Sequence, residues 1–288
     1  MYPSRFRYEA PRSLDEAFAL FSELGDEAKV LAGGQSLVPL LKLRFAAPEM
    51  LVDINGIPGL DYHREDADGT LHVGALCRHV TLERSALLTA KHPVMAAAAP
   101  VIADPIVRNR GTLVGSLCHA DPQGDWASVM LALGGHVVAV GPSGRRTIPA
   151  ADFVTGPFQN ALLPGEMALE AVVPAPAGQL TGTYLKLERR VGDFATVGVA
   201  VAVETSGGKV TRAGIALTGV GPNNIAATAA EQALVGKPLS AETVEQAARA
   251  AAEAAMPKSD HRGSAAYKRN VVATFVRRAL ARPEALAA

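Results

Sequence analysis

The residues of this chain best suited to chemistry are its smallest ones. Ala32-Gly33-Gly34-Gln35-Ser36-Leu37 follows a short apolar run, Ala28-Lys29-Val30-Leu31, and precedes a stretch of helical spacing from Leu37 to Phe45. A strand that delivers glycines to the start of a helix lets several backbone amides converge without side chains in the way. Orphan helix N–H groups and the helix dipole make such a point attractive to phosphate. A tight turn with no ligand has the same appearance, so a lone Gly-Gly decides little. The stretch is neither a G-x-x-x-x-G-K-[ST] loop nor a G-x-G-x-x-G loop, which disfavours a Walker nucleotide hydrolase and a Rossmann dehydrogenase.

A second stretch, Arg110-Gly111-Thr112-Leu113-Val114-Gly115-Ser116-Leu117-Cys118-His119-Ala120-Asp121-Pro122-Gln123-Gly124-Asp125, mixes glycines and hydroxyls with two carboxylates. It is able to hold a second part of a phosphate-bearing ligand. Cys118, His119 and Asp121 also invite a nucleophile-and-base reading, that of a Cys118-based hydrolase, although neighbours on an extended chain point to opposite sides. The seven histidines show no His-x-x-x-His or His-Glu-x-x-His spacing, so no zinc site is expected. His261-Arg262-Gly263 with Tyr267, Lys268 and Arg269, and Arg277, Arg278 and Arg282, are either docking surface or solvated helix faces.

In order and spacing, Ala32-Gly33-Gly34-Gln35-Ser36-Leu37 with Leu51-Val52-Asp53, then Gly111-Thr112-x-x-Gly115-Ser116 with Asp121-Pro122 and Asp125, resemble the FAD-binding medium subunits of aerobic carbon monoxide dehydrogenases and related xanthine dehydrogenase-type molybdenum hydroxylases. The likeness continues into Tyr184-Leu185-Lys186-Leu187-Glu188-Arg189-Arg190-x-Gly192-Asp193-Phe194-Ala195. It implies an α+β fold of the non-Rossmann, PCMH/VAO-like kind, in which two subdomains grip FAD and a C-terminal domain of antiparallel sheet plus helices closes over it. Carried over residue by residue, Lys29 and Leu31 through Leu37 would form one side of the cofactor site. Gly111, Thr112, Gly115, Ser116, His119 and Asp121 would form the other. Ile102 would line an apolar wall, Asp125 would accept hydrogen bonds from the ligand's polyol, and Ala168 would offer backbone contacts. Lys186 would stand near the pyrimidine edge of the flavin and Phe194 over a ring face, making these two the candidates for redox tuning.

The chain departs from the family where Val114-Gly115-Ser116 replaces a frequent Gly-Gly-Asn, and where Phe194 replaces a common tyrosine. Some relatives of the fold attach flavin through a histidine, but the first loop has Gln35, so dissociable FAD is expected. The resemblance further implies a molybdenum-cofactor large subunit, a small subunit with [2Fe-2S] clusters, a dimer of heterotrimers, and an external electron acceptor such as a quinone. Carbon monoxide is the first choice of substrate for the complex; N-heterocycle, aldehyde or alkaloid hydroxylases are the alternative. A reading of another class is an interaction subunit with an empty site.

These residues must be carried by regular elements. Ser13-Leu14-Asp15-Glu16 predicts a capping box for a helix ending at Gly25. Strands are expected at 28–31, 50–54, 136–140 and 167–173, with a hairpin across Asp66-Ala67-Asp68-Gly69. Helical stretches are expected around 82–88 and 94–103, and 104–124 reads as one long irregular segment. Pro174-Ala175-Pro176 marks a boundary, giving an FAD domain over 1–176, with subdomains of about 1–55 and 56–176, and a second domain over 177–288. That second domain should hold three antiparallel strands, at 182–188, 195–203 and 210–218, and alanine-rich helices at 226–234, 241–255 and 265–281.

With 49% hydrophobic and 19% charged residues in 288, the chain can bury a core for two or three domains. Lysine plus arginine and aspartate plus glutamate both number 28, so no global field attracts nucleic acid or anionic lipid. Two cysteines, Cys77 and Cys118, cannot by themselves supply a four-thiolate metal site. No stretch reaches the roughly 18 apolar residues of a membrane span and the first residues hold no apolar signal. The expectation is a cytoplasmic protein, touching the inner face of the membrane only through its complex.

Overall fold

The computed structural model describes residues 2–281; Met1 and 282–288, Arg282 among them, lie outside the described residues. Three sheets organise the chain. The first is parallel and small, with β1 (Arg7–Glu9), β2 (Ala28–Leu31) and β3 (Met50–Asp53) in the order β1-β3-β2. The centre strand β3 is a continuous apolar run, Met50-Leu51-Val52, buried on both faces as a flanked parallel strand requires. Helix Leu14–Leu24 joins β1 to β2 and helix Leu37–Leu43 joins β2 to β3. The carboxyl ends of β2 and β3 therefore lie side by side, where open parallel sheets commonly place ligands.

The second sheet is antiparallel. Its strands are β4 (His63–Glu65), β5 (Leu71–Gly74), β6 (His136–Gly141) and β7 (Gly144–Pro149); then, after a small pair formed by β8 (Val154–Gly156) and β9 (Gln159–Asn160), β10 (Met167–Val173) enters between β5 and β6. Helix Asp125–Leu133 leads into β6, with Trp126, Val129 and Met130 fully buried.

The third sheet has the order β11 (Gln179–Leu187), β12 (Val197–Ser206), β13 (Lys209–Thr218) and β14 (Ile225–Ala226). Strand β12 alternates by size. Val197, Val199, Val201 and Val203 join the core formed with the helices Thr228–Leu234, Ala241–Ala254 and Ala265–Leu280. Ala200 and Ala202 instead join the core of the first 176 residues, as do Tyr184 and Ala216. On that face small residues admit helices closely: a Cβ on Gly214 would lie 1.8 Å from the carbonyl oxygen of Ala132, and one on Gly182 would lie 2.7 Å from a methyl of Val94.

The two-domain α+β architecture is the one expected, with four local corrections. The helical stretch expected around 82–88 is split at Arg84 and Ser85, between helices His79–Glu83 and Ala86–Lys91. Segment 104–124 is not one irregular loop: it contains helices Pro105–Arg108 and Leu113–His119. Asp104 caps the first by accepting from the Val107 amide, and Thr112 caps the second by accepting from Gly115, so small polar residues that looked like loop are helix starts. The capping box at Ser13 is half formed. Ser13 accepts from the Glu16 amide, while the Glu16 carboxylate takes the Arg12 amide instead. The C-terminal sheet has a fourth strand, β14, too short for any periodicity to announce. Among the described residues no helix is long and apolar enough to cross a membrane.

Candidate functional site

The two small-residue stretches meet. Beyond β2 the chain turns through Gly34, whose φ of +75° strains any residue with a Cβ. Gly33 is buried against the second stretch: a Cβ there would stand 2.4 Å from the carbonyl oxygen of Arg110 and 2.8 Å from Cα of Gly111. The backbone amides of Gly33, Gly34, Gln35, Ser36 and Leu37 find no acceptor among the described residues. Those of Thr112 and Val114 find none either, whereas Gly115 and Ser116 donate to the side chain and carbonyl of Thr112. Two turns in contact, each presenting unengaged donors at the start of a helix, form a cradle for a doubly charged anionic group.

Residues that the sequence did not single out hold this cradle. Nδ2 of Asn55 donates to the Ala32 carbonyl at 2.8 Å, and Oδ1 of Asn55 accepts from Nη2 of Arg78 at 2.5 Å. Nη1 of Arg78 donates to the Arg110 carbonyl at 2.5 Å. Behind the second turn, the ring edge of His79 lies 2.8 Å from where a Cβ of Gly111 would be. His79 is 4% exposed, and burial, with Arg108 and Arg78 nearby, brings its pKa down to about 4. Its Nδ1 accepts from the Trp126 indole, which can only donate, so the single ring proton is assigned to Nε2. Asn55-Gly56 reads from sequence as a turn closing β3, and nothing local marks Arg78 or His79; only the parallel placement of β2 beside β3 gives Asn55 its partner.

A second group joins the two domains. Asp125, 6% exposed, begins the helix Asp125–Leu133; it accepts from the Tyr184 hydroxyl at 2.5 Å and from Lys186 Nζ at 3.0 Å. Lys186, whose side chain is 2% exposed, also donates to the Val101 carbonyl beside Ile102 and lies 3.6 Å from Glu188. Burial raises the pKa of Asp125 while Lys186 and Tyr184 oppose it. Both oxygens of Asp125, expected to accept from a ligand polyol, are also engaged within the protein, so a polyol would share acceptors already in use. Lys186 likewise is no isolated cation, since two carboxylates face it.

The remaining candidates are scattered around these two groups. Phe194 is half exposed on the 188–196 segment, with Arg262 donating to its carbonyl and pairing with Asp193. That segment touches Ala103 and Asp104 through Gly192, which has a φ of +87°. Ile102 and Ala168 are buried, Ala168 at a bulge in β10. Lys29 is exposed on β2 before the turn, and Leu31 packs under Gly34. His119 packs at a tilt against the Phe158 ring and lies 3.9 Å from Asp121, whose other oxygen accepts from the Gln123 amide. Although part of Cys118 reaches solvent, burial pushes its thiol up to about 12, which leaves no thiolate for hydrolysis near neutral pH.

Comparison with known proteins decides which family the chain belongs to. Residues 4–176 match the family model described as the FAD binding domain in molybdopterin dehydrogenase, and residues 182–282 match the CO dehydrogenase flavoprotein C-terminal domain. The chain belongs to the FAD-binding medium-subunit family of molybdenum hydroxylases. It is 44% identical over 280 residues to the carbon monoxide dehydrogenase medium chain of Hydrogenophaga pseudoflava, covering 97% of each. It is 40% identical to the 6-hydroxypseudooxynicotine dehydrogenase complex subunit alpha of Paenarthrobacter nicotinovorans, covering 98% of this chain and 95% of that one. A solved carbon monoxide dehydrogenase from Hydrogenophaga pseudoflava superposes with a TM-score of 0.94 at 46% identity, covering 99% of both chains. The medium-subunit assignment makes this chain an FAD-binding, electron-transferring part of an oxidoreductase.

Proposed function

We propose that the two glycine turns grip the diphosphate of FAD, with amides from 33–37 on one side and from Thr112 and Val114 on the other. Gly111, Gly115 and Ser116 keep the second side clear, and His119 and Asp121 flank it. The observation that carries this reading is the contact between Gly33 and Gly111, which brings two sets of unengaged donors together. Ile102 and Ala168 supply apolar wall and backbone. Lys186 and Phe194 are the side chains we place at the flavin ring. Because Asp125 and Glu188 face Lys186, it acts as part of a charge cluster and not as a lone cation. Asp125 and Tyr184 keep that cluster in place. When bound, FAD supplies the exchange between single-electron carriers and an acceptor of electron pairs.

In this reading the chain docks on a large molybdenum-cofactor subunit and a small [2Fe-2S] subunit, as a dimer of heterotrimers, and a quinone is the acceptor. The complex works in the cytoplasm, at the inner face of the membrane. The substrate is met on the large subunit. Carbon monoxide is our choice; the 40% identity to a 6-hydroxypseudooxynicotine enzyme subunit favours hydroxylation of an N-heterocycle or alkaloid as the second reading. The test is native purification with molybdenum, iron and flavin counted, followed by anaerobic addition of carbon monoxide. One FAD per chain, bleached by the gas, is the expected outcome; bleaching only by an N-heterocycle selects the second reading. A chain that takes up no flavin after incubation with FAD would be an interaction subunit. Acid precipitation should leave the yellow colour in the supernatant, since Gln35 offers no covalent attachment.

A further inference from the structure

The glycine turns cannot by themselves fix how they face each other, because glycine leaves the backbone free. Something rigid must set that geometry, and one chain of hydrogen bonds crosses from turn to turn. Tyr8 donates to one oxygen of Asp53, and the other oxygen takes both the amide and Nδ2 of Asn55. Nδ2 of Asn55 also reaches the Ala32 carbonyl, so the amide group has one orientation and its Oδ1 must face Arg78. The planar guanidinium of Arg78 then spans Asn55 and the Arg110 carbonyl, immediately before Gly111. In a trans peptide the carbonyl and the following N–H point in opposite directions. By holding the Ala32 carbonyl, Asn55 therefore turns the Gly33 N–H away from the clasp, where it finds no acceptor among the described residues.

Resting on the FAD reading above, we infer that Asn55 and Arg78 are positioning residues for the dinucleotide's diphosphate: together they clasp the two amide turns at the spacing that the diphosphate bridges. Neither side chain need touch the ligand. Both act as a unit, because removing either member disconnects Ala32 from Arg110.

The experiment uses the full apo chain with Asn55→Ala, Arg78→Lys and the double variant, each titrated with FAD and with ADP. Thermal unfolding identifies variants that still fold. Lysine keeps the charge but lacks the planar fork whose two separate nitrogens reach Asn55 and Arg110, so each single variant is expected to bind FAD about tenfold more weakly, and ADP by the same factor. The double variant should lose no more than the weaker single, the signature of residues acting as a unit. Wild-type affinity in Asn55→Ala overturns the inference, as do single losses that multiply to about a hundredfold in the double variant. A loss much larger for FAD than for ADP also overturns it, because general loosening penalises the larger ligand more. A wild-type chain that binds neither ligand instead sinks the cofactor reading itself.

Discussion

Replacing Gly33 by alanine puts a methyl group into the carbonyl of Arg110, so the two turns must part. FAD affinity should fall at least about tenfold, read by flavin fluorescence titration, with the rest of the fold intact. His79 gives a pH signature at the same scale. Its folded pKa of about 4 lies below the ordinary histidine value of 6.5, so the native state refuses a proton that the unfolded chain accepts. Stability is full above about pH 6.5 and is lost as pH falls toward 4, by about 3 kcal/mol in all. His79→Gln should flatten that part of the curve in denaturant unfolding at pH 7, 5.5 and 4.5; an unchanged slope would contradict the assignment. The glycines of the cradle were legible in the sequence because their function lies in what they lack. Asn55, Arg78 and His79 were not, since each works through a partner at least 23 residues away.

Among elements, long strands and alanine-rich helices declared themselves through period and composition, as β10 and Ala241–Ala254 illustrate. What stayed hidden were pieces defined by a single cap or by a neighbour: the helix started by Thr112, and strands β1 and β14 of three and two residues. Their hydrogen bonds come from tertiary placement, which periodicity does not report. Helix Asp125–Leu133 meets β13 where Gly214 has no side chain, and there an element-level prediction follows. Gly214→Ala sets a Cβ against the Ala132 carbonyl, and should destabilise by about 3 kcal/mol, the upper end for overpacking, visible as a lower thermal midpoint. A midpoint equal to wild type would show that helix and sheet have room to separate.

At the scale of the molecule, the covalent boundary near 174–178 does not divide the structure into independent halves. Asp125 comes from one domain and Tyr184 and Lys186 from the other, and the side chains of all three are buried. Lys186→Met strands the Asp125 charge and should cost about 3 kcal/mol or more; adding Asp125→Asn should recover a good part of it. Equilibrium unfolding of the two single variants and the double decides this, and strictly additive losses would deny the coupling. Strand β12 shows how such precision is kept. Gly198 leaves room for the Tyr184 hydroxyl to cross toward Asp125, and Ala200 and Ala202 continue the same thin strip. That strip is a shim between two bodies, one methyl thick. Drift from alanine to valine along it would wedge the bodies apart and so reach an acid that valine never touches.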